Sequence, residues 1–176
     1  MNSRLIIQNA GRFVLLMLLQ LLVFNNIYLG GYINPCLYVL FIAMLPTDTG
    51  RIPMMLIAFG TGLCIDLSTN MLGFHTFACT VVGFVRGVGL DSLITGDNDE
   101  PVETPRIQNG NYQRYALYLF LLLVIFHFVY YLLVVFSLRE LPTVLLSTLL
   151  SSVVTWILAI LYQTLFFRKL QNTEKH

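Results

Sequence analysis

The stretch GLCIDLSTNMLGFHT, residues 62–76, places an acid, an amide and an imidazole inside an otherwise apolar part of the chain. Carboxylate and imidazole groups such as those of Asp66 and His75 are used in proteins for proton transfer and for polar ligand contacts. On a helix, Gly62, Asp66 and Asn70 recur every four residues and share one stripe, and His75 lies about one turn into the next predicted helix. The spacing therefore makes a polar contact around Asp66 one of the interpretations to consider.

The composition of the chain indicates the solvent that surrounds these groups. Of 176 residues, 57% are hydrophobic and 11% are charged, which is far from the average of soluble globular proteins. A bilayer core of roughly 30 Å requires about 20 apolar residues per helix, so a chain of this length can cross several times. A net charge of +1 with dispersed Lys and Arg argues against a nucleic-acid partner, which requires a clustered basic surface. We predict one membrane domain in contact with the lipid bilayer.

Six apolar runs predict an all-α, polytopic domain with six transmembrane helices over residues 1–176. Pro35 and Pro142 each suit a first helical turn, where a missing N–H is not needed. The second run is short for a full span and predicts a short, nearly upright crossing. The polar, acidic stretch 91–113 is the longest predicted loop. The predicted spans are 13–29, 33–45, 54–69, 71–90, 114–137 and 142–167.

The distribution of basic residues predicts the orientation, because Lys and Arg collect on the cytoplasmic side of a membrane. With the N-terminus inside, nine of the ten Lys and Arg residues fall on the cytoplasmic side, together with the loop 91–113. Only Arg139 falls outside. A cleaved signal peptide is the competing interpretation of the first run, but no Ala-x-Ala-like site follows Leu29. We expect a multi-pass protein with both termini in the cytoplasm.

Two interpretations of Asp66 are open once it is placed near the outer leaflet. A carboxylate at this depth needs a partner, and it could contribute to a polar contact, a pocket or a relay. Alternatively, Asp66 is hydrated from outside and serves to pack the hairpin, which is the interpretation that we favour. For His75 a hydrogen-bonded structural role is favoured in the same way.

Glycines concentrate on the third and fourth predicted helices and indicate close helix packing. Gly83 and Gly87 have the G-x-x-x-G spacing that allows two backbones to approach closely. Packing within the chain and docking of a partner's single helix both use such a surface, and both remain open.

Two other groups of polar side chains are predicted to have structural roles. Arg86, near the inner end of the fourth helix, is expected to extend its guanidinium to cytoplasmic headgroups and to anchor the helix. A stripe of small polar residues on the last helix is expected to pack against neighbouring helices. Its members are Ser147, Ser151 and Thr155, with Thr148 and Ser152 beside them.

The sequence carries no catalytic or metal-binding signature. It contains no G-x-S-x-G, H-E-x-x-H or G-x-x-x-x-G-K-[ST] pattern. The three His residues are scattered, and the three Cys residues lack the spacing of a metal site or a redox pair. Asp66 could be half of an intramembrane aspartyl pair, but no second Asp lies at membrane depth. We therefore expect no enzymatic activity, no metal and no cofactor.

The run AFGTGLCIDLSTNMLGFHTFACTVVGFVRG, residues 58–87, follows the turn Arg51-Ile52-Pro53. This run resembles the central hairpin of the MreD family of bacterial rod-shape-determining membrane proteins, and its Val85-Arg86 ending is similar to that of Bacteroidetes-type members. The family pattern is Gly-Leu, an Asp three residues on, a short turn with Gly, and a helix of small residues. His75-Thr76 departs from it. The matching positions here are Gly62, Leu63, Asp66, Asn70, Gly73 and Ala78.

The resemblance implies a non-enzymatic component of the cell-elongation machinery in the bacterial inner membrane. Its implied partners are an MreC-like single-span protein and, directly or through it, a RodA-type glycosyltransferase, its transpeptidase and MreB filaments. The implied role of Gly62, Asp66, Asn70, Gly73, Gly83 and Gly87 is to organise the hairpin or to bind the partner.

The main alternative comes from the fold that the resemblance implies. That fold is similar to the S components of energy-coupling-factor transporters, which bind vitamins. An outward pocket near Asp66, Asn70, His75, Asn25 and Asn26 would suit such a ligand.

Overall fold

The structure, a computed structural model, describes residues 3–26, 33–88 and 112–173 of the chain. Its regular elements form an all-α membrane domain. Short 3₁₀ turns lie at Phe24–Asn26 and Leu138–Glu140. The α-helices are α1 (Ser3–Leu22), α2 (Val39–Ala43), α3 (Arg51–Thr69), α4 (Phe74–Val88), α5 (Tyr112–Val135) and α6 (Leu141–Thr173).

Four of the described helices are long and apolar enough to cross a membrane, namely α1, α3, α5 and α6. The 15-residue α4 is apolar but shorter, and α2 has only five residues. The chain is therefore a polytopic α-helical membrane protein, while the count of six crossings stays a prediction. The predicted loop 91–113 falls mostly on residues 89–111, which lie outside the described part of the chain.

The side chains of α6 show the environment for which the fold is built. Its buried face carries small polar residues, and its exposed face carries large apolar ones. Soluble proteins have the opposite arrangement, whereas a helix in lipid places apolar side chains outward and polar ones between helices. The buried face includes Ser147, Thr148, Ser151, Ser152, Thr155 and Gln163, and the exposed face includes Leu146, Leu149, Val153, Ile157, Leu161 and Leu165.

The ends of several helices differ from the prediction. α1 begins at Ser3, ten residues before the predicted span, and ends at Leu22. The prediction placed the boundary at Arg12, but this polar residue continues the helix, and its Nη1 donates a hydrogen bond to Asn9 Oδ1 one turn earlier, at 3.1 Å. Polar side chains do not interrupt a helix whose backbone bonds are satisfied.

The second predicted span, 33–45, is wrong as a continuous helix. Residues 34–38 are irregular, and only Val39–Ala43 form α2. Irregular backbone advances up to ~3.3 Å per residue, compared with ~1.5 Å in a helix, so a short run can cover more depth. From Cys36 to Leu45 every residue is buried. Irregular backbone at membrane depth is tolerated where protein surrounds it.

The helices pack as two hairpins with this buried segment between them. α3 packs along α4, α5 packs along α6, and α4 joins the hairpins by contacting α5. The short α2 contacts α1, α3, α4 and α5. This arrangement places the segment 33–45 in the centre of the domain and brings the α3–α4 turn close to it.

Candidate functional site

Asp66 caps the first turn of α4 from the neighbouring helix. It is 3% exposed. Its Oδ2 accepts hydrogen bonds from the N–H of Thr76 at 2.7 Å and the Thr76 hydroxyl at 2.5 Å, and its Oδ1 accepts one from the N–H of His75 at 3.2 Å. A helix usually receives this cap from its own N-cap side chain. That position is Gly73, which has none, so Asp66 on α3 supplies the acceptor, and its negative charge suits a helix N-terminus.

The turn between α3 and α4 depends on Asn70 and Gly73. Asn70 ends α3 in the left-handed conformation, with φ 54°, which Asn tolerates better than most residues. Gly73 has φ +90°. Asn70 is exposed, so the predicted stripe Gly62, Asp66 and Asn70 divides: the first two residues face α4, and the third closes the turn.

Gly62 and Gly83 provide the close contact between α3 and α4. A Cβ at Gly62 would lie 2.5 Å from Thr76 Cα and 2.6 Å from the carbonyl oxygen of His75. At Gly83 it would lie 2.8 Å from the Cβ of Ala58. Two interpretations of the glycines were open, and packing within the chain is the one that applies to Gly83. The surroundings of Gly87, in the last turn of α4, lie outside the described side chains.

His75 connects α4 to two other elements. Its Nδ1 and the hydroxyl of Tyr38 are 2.7 Å apart and share a hydrogen bond. Its ring stacks on that of Tyr130 on α5, with centroids 4.6 Å apart and an interplanar angle of 29°. His75 is therefore a hydrogen-bonded residue of the core, buried between α4, α5 and the segment 33–45.

Arg86 has a different role from the predicted one. Its side chain is fully buried. The guanidinium donates hydrogen bonds to the carbonyl oxygens of Ile42 and Leu45 at the end of α2. The prediction that Arg86 extends to lipid headgroups is wrong for this position. A cation at a helix C-terminus stabilises the carbonyl groups that have no partner within the helix, so Arg86 caps α2.

Gln20 has a structural role that was not predicted from the sequence. Its Nε2 donates to the carbonyl oxygen of Pro35 at 3.0 Å, and its Oε1 accepts from the N–H of Leu37 at 2.9 Å. A single amide side chain on α1 thus satisfies two backbone groups of the irregular segment. The signal in the sequence was a lone Gln between apolar residues, which did not reveal its partner.

The small polar stripe on α6 binds the same segment from the other side. The hydroxyl of Ser151 accepts a hydrogen bond from the N–H of Asn34 at 3.0 Å, and that of Thr155 accepts one from the N–H of Cys36 at 3.2 Å. His127 Nε2 on α5 is 3.2 Å from the carbonyl oxygen of Asn34. The stripe was predicted to pack helices together. In the structure its hydroxyl groups also serve as hydrogen-bond partners for backbone groups of residues 34–36, which have no helical partners.

The polar groups at membrane depth therefore bind mainly to the chain itself. Within residues 3–26, 33–88 and 112–173, no group of three His, Cys, Asp or Glu side chains is placed to hold a metal ion. Asn25 Oδ1 accepts a hydrogen bond from Gln20, and Asn26 Nδ2 donates to carbonyl oxygens at the end of α1. The arrangement is suited to fixing the shape of a membrane domain.

Comparisons with known proteins identify no relative. No protein-family model matches the chain. No curated protein and no solved structure is similar enough to count as a match.

Proposed function

We propose that this protein is a non-enzymatic scaffold of the bacterial inner membrane that acts in cell elongation, as the resemblance to the MreD family implies. It binds an MreC-like single-span protein and helps to organise lateral peptidoglycan synthesis by a RodA-type glycosyltransferase and its transpeptidase. MreB filaments are reached through the same complex. In this proposal the chain crosses the membrane six times, with both termini in the cytoplasm.

The observation that best supports a scaffold is the use of Asp66. The carboxylate accepts three hydrogen bonds from the start of α4, and its side chain is buried. A group intended for a ligand or for catalysis would keep donor or acceptor capacity towards a pocket. Asp66 instead fixes the angle and register of the α3–α4 hairpin, which is what a contact surface requires.

The exposed side of this hairpin is the surface that we assign to the partner. Leu67, Leu72 and Phe77 are 73%, 89% and 56% exposed. They lie on both sides of the turn that Asp66 holds. Because Gly83 is covered by α3, the partner contacts these outward side chains rather than the glycine face of α4.

The experiment is purification of the tagged protein in mild detergent, with mass spectrometry of retained proteins and small molecules. We expect a single-span MreC-like protein together with wall synthases. A photo-crosslinking residue at Leu72 should capture the same single-span protein, and the matched control is one at Ile157 on the exposed face of α6.

Other results would contradict the proposal. Retention of an ATPase module or of a stoichiometric vitamin would favour the S-component function instead. Crosslinks from Leu72 that contain only lipid would remove the hairpin turn as the contact surface.

A further inference from the structure

A groove runs along the outside of the domain between α1 and α3. It has a volume of about 550 Å³ and an almost entirely apolar lining. Asn9 and Phe13 line it on α1, Pro53, Gly60 and Cys64 line it on α3, and residues of α2 and the following turn form its floor. A Cβ at Gly60 would meet no atom within 4 Å. Gly60 thus differs from Gly62 and Gly83, whose faces the chain itself covers.

The size of the groove indicates what can occupy it. From Pro53 to Cys64 the lining of α3 extends over about 17 Å at 1.5 Å per residue. The groove is open to the outside and apolar along this length, so an extended hydrocarbon chain can lie in it.

One end of the groove is polar and basic. Arg12 donates a hydrogen bond to the lining residue Asn9. Arg51 is exposed and begins α3 between the lining residues Thr49 and Pro53. The N-terminus of α3 has no side-chain cap, since its N-cap is Gly50. Asp48 in the same turn offsets part of this charge, but the Arg51 guanidinium and the N-terminus of α3 favour an anion.

We infer that the groove binds an anionic phospholipid, with an acyl chain between α1 and α3 and the phosphate beside Arg51. The apolar lining and the length of the groove suit the acyl chain. The basic end lies where a chain leaving the groove reaches the headgroup region, and cationic side chains near the bilayer surface attract anionic lipid. This site is independent of the proposed scaffold function, because neither the hairpin turn nor Asp66 contributes to it.

The test is native mass spectrometry of the full-length protein after exchange into equal amounts of phosphatidylglycerol and phosphatidylcholine with the same acyl chains. We expect the wild type to retain one phosphatidylglycerol. Gly60→Leu, which fills the groove, should reduce that retention several-fold. The matched control is Gly11→Leu, since Gly11 is exposed on α1, has equally open surroundings and is outside the groove; this variant should retain lipid as the wild type does.

A second pair of variants separates headgroup from acyl-chain binding. Arg51→Gln should keep a bound lipid but lose the preference for phosphatidylglycerol, whereas Arg114→Gln on α5 should keep the preference. If Gly60→Leu does not fold, Cys64→Phe fills the groove from its other end and should reduce lipid retention in the same way.

Equal retention by the wild type and a folded groove-filling variant would overturn the proposal. So would equal retention of the two lipids by the wild type. Loss of a co-purified single-span protein from Gly60→Leu, with lipid retention unchanged, would show that the groove is a protein contact instead.

Discussion

The carboxylate of Asp66 on α3 accepts hydrogen bonds from both the N–H and the hydroxyl of Thr76 in the first turn of α4, at 2.7 and 2.5 Å. One turn earlier on α3, Gly62 lies so close to Thr76 that a Cβ would be 2.5 Å from the Thr76 Cα. The two contacts depend on each other. The missing side chain at Gly62 allows the approach, and Asp66 provides the polar interaction that stabilises it.

Asp66→Ala should destabilise the protein more than Asp66→Asn. Alanine removes all three hydrogen bonds and leaves buried N–H groups unpaired, at a cost of about 3 kcal/mol. Asparagine can keep its oxygen towards Thr76 and loses only the weaker bond to His75, at a cost of about 1 kcal/mol. The measurement is the thermal unfolding midpoint in mild detergent, with Asp48→Ala in the exposed turn as control. Wild-type stability of Asp66→Ala would show that the cap contributes nothing.

Gly62→Ala should be strongly destabilising, whereas Gly60→Ala should not be. The added methyl group at Gly62 meets the backbone of residues 75 and 76, so α3 and α4 must separate, at a cost of about 2–3 kcal/mol. At Gly60 the methyl group meets nothing within 4 Å, and alanine raises helix propensity by roughly 0.5–1 kcal/mol. The pair is compared by the same thermal unfolding measurement, and a similar response of the two variants would contradict the close contact at Gly62.

Arg86→Lys distinguishes capping of α2 from anchoring at the membrane surface. An ammonium group can also extend to headgroups, so Lys would preserve an anchor. It lacks the planar fork with which Arg86 reaches two carbonyl oxygens at once. We expect a loss of about 1.5–3 kcal/mol, the range of hydrogen bonds to charged groups, and no loss for Arg139→Lys in the exposed turn before α6. Unchanged stability of Arg86→Lys would restore the anchoring role.

The parts of the fold that follow local patterns could be predicted from the sequence. The all-α membrane character, the four long apolar helices and the position of the α3–α4 turn follow from hydropathy and from turn-forming residues such as Asn70 and Gly73. Asp66 packs the hairpin as favoured, but instead of being hydrated from outside it makes a buried polar contact with α4. The form of this contact could not be foreseen, because it depends on a partner nine to ten residues away, on the next helix.

The remainder depends on contacts between residues that are distant in sequence. Pro35 suggested the start of a helix, but Gln20, Ser151 and Thr155 stabilise an irregular backbone there instead. Hydrophobic periodicity cannot reveal that side chains replace the helical hydrogen bonds, since an apolar run of 13 residues has the same pattern as a helix and as a buried irregular segment. Arg86 was placed at the membrane surface for a related reason: its hydrogen bonds join it to Ile42 and Leu45, which lie more than 40 residues earlier in the sequence.

Thr155 and Thr148 on α6 provide the sharpest test of how the irregular segment is held. Both are buried, at 0% and 3% exposure. The hydroxyl of Thr155 accepts the N–H of Cys36, whereas among the described side chains the hydroxyl of Thr148 has no hydrogen-bond partner. Valine has nearly the shape of threonine, so each substitution removes little besides the hydroxyl.

Thr155→Val should lower the free energy of unfolding by about 1–2 kcal/mol, because the N–H of Cys36 loses its acceptor in a buried position. Thr148→Val should be neutral or stabilising, since burying an unpaired hydroxyl is itself unfavourable. Hydrogen–deuterium exchange of the peptide containing Cys36 locates the effect: exchange should accelerate in Thr155→Val and remain unchanged in Thr148→Val. Equal exchange in the two variants would mean that the α6 hydroxyls do not hold the segment, and that its surrounding apolar contacts alone keep it in place.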